Sequence, residues 1–123
     1  MTSRATDVTE DTMVKQRIGR GPLTVALEEH GTTEPRLYVR DGKGMVVVMP
    51  VPADTLPDVR RHVQDPGPAQ ACDVELVDDH GQPASRWGSF AYRGAAAALA
   101  AVLMGIDRSL AGVRFVAPTL AVA

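Results

Sequence analysis

The longest run of apolar positions lies between residues 93 and 107, where no charged or polar side chain separates the two ends. Alanine, leucine and methionine dominate this run, and these residues are strong helix formers. Its larger side chains recur with the spacing of one helical face: Leu99, Val102, Leu103 and Ile106. Because the other positions are mostly alanine, we predict a helix that is apolar on all sides and therefore buried in a core or an interface.

The first half of the chain carries the pattern of β-strands. Apolar and polar residues alternate over 22–29 and over 36–40, which is typical of half-buried strands. Residues 41–44, with two glycines, predict a hairpin turn. The continuous apolar run 45–51 predicts a central strand covered on both faces. The three strands together indicate an antiparallel meander.

The second half is predicted to alternate helices and strands. A helix is expected over residues 53–65, with Asp54 or Thr55 as its N-cap. Further strands are expected over three segments, 71–77, 86–93 and 113–116, and the apolar helix lies between the last two. The order β-β-β-α-β-β-α-β predicts an α+β fold with a mainly antiparallel sheet and two helices packed on one face. We expect one domain over residues 21–123 and a disordered N-terminal tail over residues 1–20.

The alanine side of the apolar helix requires a cover. Small residues allow close approach of two backbones, and symmetric pairs are the commonest oligomers. We therefore predict a homodimer whose interface is formed by Ala96, Ala97, Ala100, Ala101 and Met104. The alternative is that helix 53–65 or the C-terminal tail of the same chain covers this side.

Composition and charge limit the classes of protein to which this chain can belong. The net charge of −2 argues against a general nucleic-acid binder, although it allows a local basic face. The abundance of alanine, glycine, proline and arginine suggests a bacterial protein. Cys72 is the single cysteine, so no internal disulfide forms. The start resembles no secretory signal, and no apolar run reaches the roughly 20 residues of a membrane-spanning helix. We expect a cytoplasmic protein that is not associated with a membrane.

Catalytic and metal-binding motifs do not occur in the sequence. It contains none of the standard phosphate-binding, nucleophile or metal-binding motifs. Asp78, Asp79 and His80 form a local cluster, but their spacing matches no standard metal site. Cys72 has acidic and apolar neighbours, which is typical of a structural thiol rather than a nucleophile. We therefore expect no catalytic residue, no metal and no cofactor, and the sequence favours a protein that is not an enzyme.

An aromatic and basic set provides the candidate binding residues. Tyr38 stands between two arginines on one strand face, and Trp87 lies on a later strand. If the two rings share an open face of the sheet, they form a platform among arginines. The predicted binding residues are Arg36, Tyr38, Arg40, Arg86, Trp87 and Arg93.

Three functions remain open on this evidence. The first is a small interaction or regulatory protein that self-associates and binds a partner protein, because tyrosine, tryptophan and arginine are enriched at interfaces. The alternative is a nucleic-acid-binding regulator whose rings stack on bases, helped by Lys15, Arg17 and Arg20 of the tail. The second alternative is a small-ligand binder or enzyme with a pocket between sheet and helix. The residues to inspect for that pocket are Ser89, Tyr92, Asp107 and Arg108.

Overall fold

The computed structural model describes residues 15–16, 22–30, 33–44 and 46–118. The elements in this part of the chain follow in the order β1 (Lys15–Gln16), β2 (Thr24–His30), β3 (Thr33–Arg40), β4 (Val46–Pro50), α1 (Leu56–Gln64), β5 (Ala69–Asp78), β6 (Pro83–Tyr92), α2 (Arg93–Ile106) and β7 (Leu110–Val116). The predicted α+β class with mainly antiparallel strands is confirmed.

The strands form two sheets. Strands β2, β3 and β4 make the predicted antiparallel meander, with Tyr38 of β3 opposite Ala26 of β2 and Val48 of β4. The second sheet has the order β1-β6-β5-β7, in which β5 is antiparallel to both neighbours and the short β1 is parallel to β6. Leu23, just before β2, connects the sheets: its N–H donates to the Ser89 carbonyl at 2.7 Å and its carbonyl accepts from the Ala91 N–H at 3.4 Å.

The core lies between the sheets and helix α2. Leu37, Leu76, Phe90 and Leu99 are fully buried there, and burying a side chain of this size contributes about 1.5–3 kcal/mol. Helix α2 packs on α1 and on strands of both sheets. The prediction of a helix surrounded by other elements is therefore confirmed over most of its length.

Helix α1 provides part of the cover that the alanine side of α2 requires. Ala96 and Ala100 are buried within the single chain, at 0 % and 2 % exposure. Ala97, Ala101 and Met104 are half-buried. Two of the five predicted dimer-interface residues are thus covered by the chain itself and require no second copy. The C-terminal residues 119–123, the other candidate cover, lie outside the described residues.

The structure places β4 differently from the prediction for residues 45–51. A central strand covered on both faces was expected, but β4 lies at the edge of its sheet and the Val48 side chain is 47 % exposed. The prediction failed because a continuous apolar run indicates a buried strand only when neighbouring strands and layers cover it. Apolar residues at a sheet edge produce the same pattern.

Strand β6 also departs from regular alternation. Phe90 lies opposite Cys72 and Trp87 lies opposite Val74, so three residues of β6 span the length of two residues of β5. This extra residue is a β-bulge, which turns both rings toward the core. Strict alternation would place Trp87 and Phe90 on opposite faces of the strand, and the bulge instead brings both rings to the same face.

The sequence also predicts a disordered N-terminal tail and no membrane-spanning helix. Within the predicted tail 1–20, residues 15 and 16 form β1, and the others lie outside the described residues. Neither of the two described helices is long and apolar enough to cross a membrane.

Candidate functional site

The structure distributes the six predicted binding residues over four places. Arg36, Tyr38 and Arg40 share the outward side of the β2-β3-β4 sheet, whereas the other three lie on or next to β6. Trp87 packs against the core, Arg86 points to the opposite side of its sheet, and Arg93 begins helix α2. The six residues therefore do not form one surface.

The outward side of the three-stranded sheet is named the open face here, and both helices pack on the other side of that sheet. Its described members are the outward residues of β2, β3 and β4: Thr24, Ala26, Glu28, Arg36, Tyr38, Arg40, Val48 and Pro50. They form cross-strand rows, and the central row runs from Ala26 through Tyr38 to Val48. An aromatic ring thus lies in the middle of the face with a small apolar residue on each side.

Tyr38 is held in a fixed orientation. Its hydroxyl donates to Glu28 Oε1 at 2.9 Å, and the Arg40 guanidinium carbon lies 5.9 Å from the ring centroid, within range of a cation–π contact. Arg36 lies directly opposite Glu28, whereas Arg40 lies opposite Thr24. The open face therefore combines an oriented ring with one arginine that has no acidic residue across from it.

Arg86 forms an ion pair with a buried carboxylate and is not part of an exposed binding surface. The Asp73 carboxylate is 1 % exposed and accepts hydrogen bonds from Arg86 Nε at 3.1 Å and from Ser89 Oγ at 2.7 Å, while Arg86 Nη2 lies 3.0 Å from it. Position 88 requires glycine, because a Cβ on Gly88 would overlap this carboxylate. Asp73, Arg86 and Ser89 thus form a structural cluster that joins β5 to β6.

Trp87 is not available as a stacking platform. Its ring packs against the core on the side of the sheet that faces α2, and its indole nitrogen is buried with no hydrogen-bond partner among the described residues. The expected pair of Tyr38 and Trp87 on one open face does not form. The physical reason is the β6 bulge, which sequence alternation could not reveal.

Arg93 lies beside a cleft at the beginning of α2. Its guanidinium carbon is 4.6 Å from the centroid of the Phe115 ring. The cleft has a volume of about 470 Å³ and is lined chiefly by the loop after α1, by the first turn of α2 and by Phe115. The Gly94 N–H donates to the Pro66 carbonyl at 3.2 Å, and a Cβ at Gly94 would overlap the Pro66 backbone. Glycine at this position therefore lets the helix begin directly against the loop.

The loop side of this cleft escaped the sequence analysis. The sequence pattern indicated Tyr92 and Ser89 near the start of α2, but not His62, Asp65 and Gln70, which line the cleft. The only local signal was the Pro-Gly-Pro segment 66–68, which predicts a loop and does not indicate where the loop packs.

Cys72 lies next to this region in a smaller hollow of about 250 Å³ that also contacts Arg93. Burial raises the pKa of the Cys72 thiol, nearby Arg93 opposes that shift, and Asp73 adds to it. A protonated thiol is a poor nucleophile, so the structural role expected from the sequence fits its surroundings.

The carboxylates at the end of β5 and in the loop after it also make contacts within the protein. Asp78 Oδ1 accepts the backbone N–H groups of Gln82 and His80, both at 2.9 Å, and these hydrogen bonds lower the pKa of Asp78. His80 is exposed and lies 3.5 Å from Asp79. Among the described residues, no group of three or more histidine, cysteine, aspartate or glutamate side chains is placed to hold a metal ion.

Comparisons with known proteins found no matching family model, no matching curated protein and no matching solved structure. The function is therefore argued from the geometry of the open face and of the Arg93 cleft.

Proposed function

We propose that this chain is a small non-catalytic interaction or regulatory protein that binds a partner protein through the open face. The observation that carries the proposal is the central row of that face, in which the oriented Tyr38 ring lies between Ala26 and the exposed Val48, with Arg40 beside it. Tyrosine and arginine surrounded by apolar contacts are typical of the centres of protein interfaces.

The residues of the open face also indicate which chemical groups the partner surface should carry. Arg40 is exposed and lies opposite Thr24, so an acidic group of a partner can pair with it. Val48 and Pro50 supply apolar contact area on the neighbouring strand. We therefore expect a partner surface with an apolar centre and an acidic rim, because complementary charge sets specificity and association rate.

Nucleic acid is the less favoured occupant of the same face. Stacking modules combine several rings with a basic groove, whereas Tyr38 is the only one of the two expected rings on the face and Glu28 stands beside it. This alternative predicts binding that weakens steeply with salt, since phosphate contacts release counterions.

The experiment is affinity capture from extract of the cells that make the protein. Three immobilised forms are compared: the wild type, Arg40→Glu on the open face, and Arg108→Glu as a control. Arg108 is exposed in the turn after α2 and pairs only loosely with Asp54, at 3.6 Å. The extract is used with and without nuclease treatment.

The proposal predicts a protein that the wild type and Arg108→Glu retain, that Arg40→Glu loses, and that survives nuclease treatment. Capture of the same proteins by all three forms would contradict the use of the open face. Recovery of nucleic acid that dissociates in high salt would favour the alternative.

A second candidate function is binding of a small anionic ligand in the Arg93 cleft. Its volume of about 470 Å³ lies within the range of small-molecule sites, about 300–1,000 Å³. Arg93 and the positive end of the α2 dipole both favour a negative group there.

Thermal unfolding with inorganic phosphate and with succinate tests this candidate. A specific ligand raises the midpoint of the wild type progressively as its concentration exceeds the Kd, and Arg93→Met should abolish the increase. Equal effects on both proteins would indicate a general salt effect and remove this candidate.

A further inference from the structure

We propose that a second copy of this chain pairs with the outer edge of β4. The two β4 strands run antiparallel about a two-fold axis at Val47, and they join two three-stranded sheets into one six-stranded sheet. This inference goes beyond the proposed partner binding and relocates self-association from helix α2 to the sheet edge.

The outer edge of β4 carries backbone groups that have no partner within the described chain. β3 pairs with one edge of β4, and no described residue pairs with the other. The Val51 N–H donates to the Pro35 carbonyl at 2.9 Å. Because orientation alternates along an antiparallel strand, the N–H and C=O groups of Val47 and Met49 also face β3. Those of Val46 and Val48 therefore face outward.

The sequence of this segment is complementary to itself. Residues 45–49 read Met-Val-Val-Val-Met in both directions, and residues 45–52 contain no charge. Antiparallel pairing centred on Val47 places Val46 of one copy opposite Val48 of the other, and each such pair exchanges two hydrogen bonds. The register thus uses the outward N–H and C=O groups of Val46 and Val48 in each strand, and no like charges oppose each other.

The opposite outer edge of the molecule provides a contrast. β7 ends the other sheet, and it contains Arg114 and Gly112. A charge and a glycine on an edge strand discourage pairing with another chain. β4 has neither: its Pro50 stands at the end of the strand, beyond the segment Val46–Val48 that would pair, and the Val48 side chain beside this edge is 47 % exposed. A symmetric self-complementary edge therefore identifies the occupant as a second copy.

Pairing in this register would double the open face. Each Tyr38 is followed across its sheet by Val48, and the next strand would belong to the second copy. A partner would then meet two Tyr38 rings, one from each copy. The dimer does not depend on a partner, so solution mass tests the dimer and the Arg40→Glu capture experiment tests partner binding.

The first experiment measures solution mass by sedimentation equilibrium for the wild type, Val48→Pro and Val48→Thr. Proline removes the outward N–H of Val48 without removing a hydrogen bond to β3, and edge strands tolerate proline at such positions. Threonine keeps both the backbone donor and the β-branched shape. We expect dimers for the wild type and Val48→Thr, and a folded monomer for Val48→Pro.

A wild type that stays monomeric at the highest concentration reached would overturn the proposal. So would a Val48→Pro variant that remains a dimer, because the contact would then lie elsewhere.

Two cysteine variants test the register independently of the proline variant. At a non-hydrogen-bonded antiparallel pair the Cα atoms are about 4.5 Å apart, which a disulfide can bridge, whereas residues two positions out of step lie beyond its reach of about 7 Å. Under mild oxidation Val47→Cys should form a covalent dimer. In Val48→Cys the two side chains at position 48 do not lie opposite each other, so a covalent dimer should form at least about tenfold more slowly. Equal rates, or none for Val47→Cys, would overturn the register.

Discussion

The two sheets differ in what lies beside three of their arginines, Arg40, Arg86 and Arg114. On the outer side of the β5-β6-β7 strands, Arg86 pairs with buried Asp73 and Arg114 pairs with Glu75 at 2.8 Å. On the open face, Arg40 lies opposite Thr24 and stays exposed. All three arginines lie in segments that the sequence predicts as strands. The pairing of a strand arginine therefore depends on which residue the register places nearby: an acid lies beside Arg86 and Arg114, whereas Thr24 lies across from Arg40.

The outer edges of the two sheets also differ, in that one carries a charged residue and the other is apolar. β7 carries Arg114, and Arg86 Nη2 also donates to the Ala117 carbonyl just beyond that strand at 3.4 Å. β4 carries only valine, methionine and proline. The half built from β5, β6 and β7 thus pairs Arg86 and Arg114 with acidic residues, whereas the half built from β2, β3 and β4 has an exposed arginine and an outer edge of apolar residues.

The largest effect is expected in helix α2, in the core between the two sheets. Ala96→Glu places a charge where exposure is 0 %, and it should lower the free energy of unfolding by about 4 kcal/mol or abolish folding. Ala97→Glu, one residue later at a half-buried position, should cost less than about 2 kcal/mol. Urea denaturation of both variants measures the difference. Equal stability losses would contradict the placement of α2.

The next effect concerns the buried carboxylate. Asp73→Ala leaves Arg86, which is only 21 % exposed, without its partner, and should lower the free energy of unfolding by about 3 kcal/mol. Glu75→Ala is the control. Its partner Arg114 is half exposed, so the loss should be below about 1 kcal/mol. Urea denaturation again gives both values. A control as damaging as Asp73→Ala would show that burial does not separate these pairs.

Much of the fold could be predicted because it depends on local periodicity. Helix α2 and the β2-β3-β4 meander follow from the spacing of apolar residues, and both were found. Three features of the candidate site depend on tertiary register instead: the edge position of β4, the bulge that turns Trp87 inward, and the pairing of Arg86 with Asp73. No pattern within one segment determines which residue of another segment lies beside it.

Acid should destabilise the protein modestly through three surface carboxylates. Hydrogen bonds from Ser109, from Gln82 and His80, and from Arg60 lower the pKa values of Asp107, Asp78 and Glu29 respectively. A lowered folded pKa gives stability that is fully present above the unfolded value, near pH 4, and is lost as pH falls through the folded value. Melting temperature against pH measures this. Asp78→Asn should flatten the acid limb, and an unchanged limb would contradict the assignment.

The smallest effect on stability is expected on the open face. Arg40→Glu removes an exposed side chain from a tolerant surface and should change the free energy of unfolding by less than about 0.5 kcal/mol. The same variant should lose partner capture, so binding and stability separate in this half of the molecule. A stability loss comparable to that of Asp73→Ala would mean that Arg40 has a structural role.

The contrast between the halves is tested most directly by amide hydrogen exchange followed residue by residue at low and high protein concentration. We expect the Val48 amide, which has no partner within the described chain, to exchange fast in dilute solution and to become protected as the protein concentration rises. The Met49 amide, which faces β3, should be protected at both concentrations. Fast exchange of Val48 at every concentration, with a concentration effect at β7 or α2 instead, would contradict the assignment of association to the β4 edge.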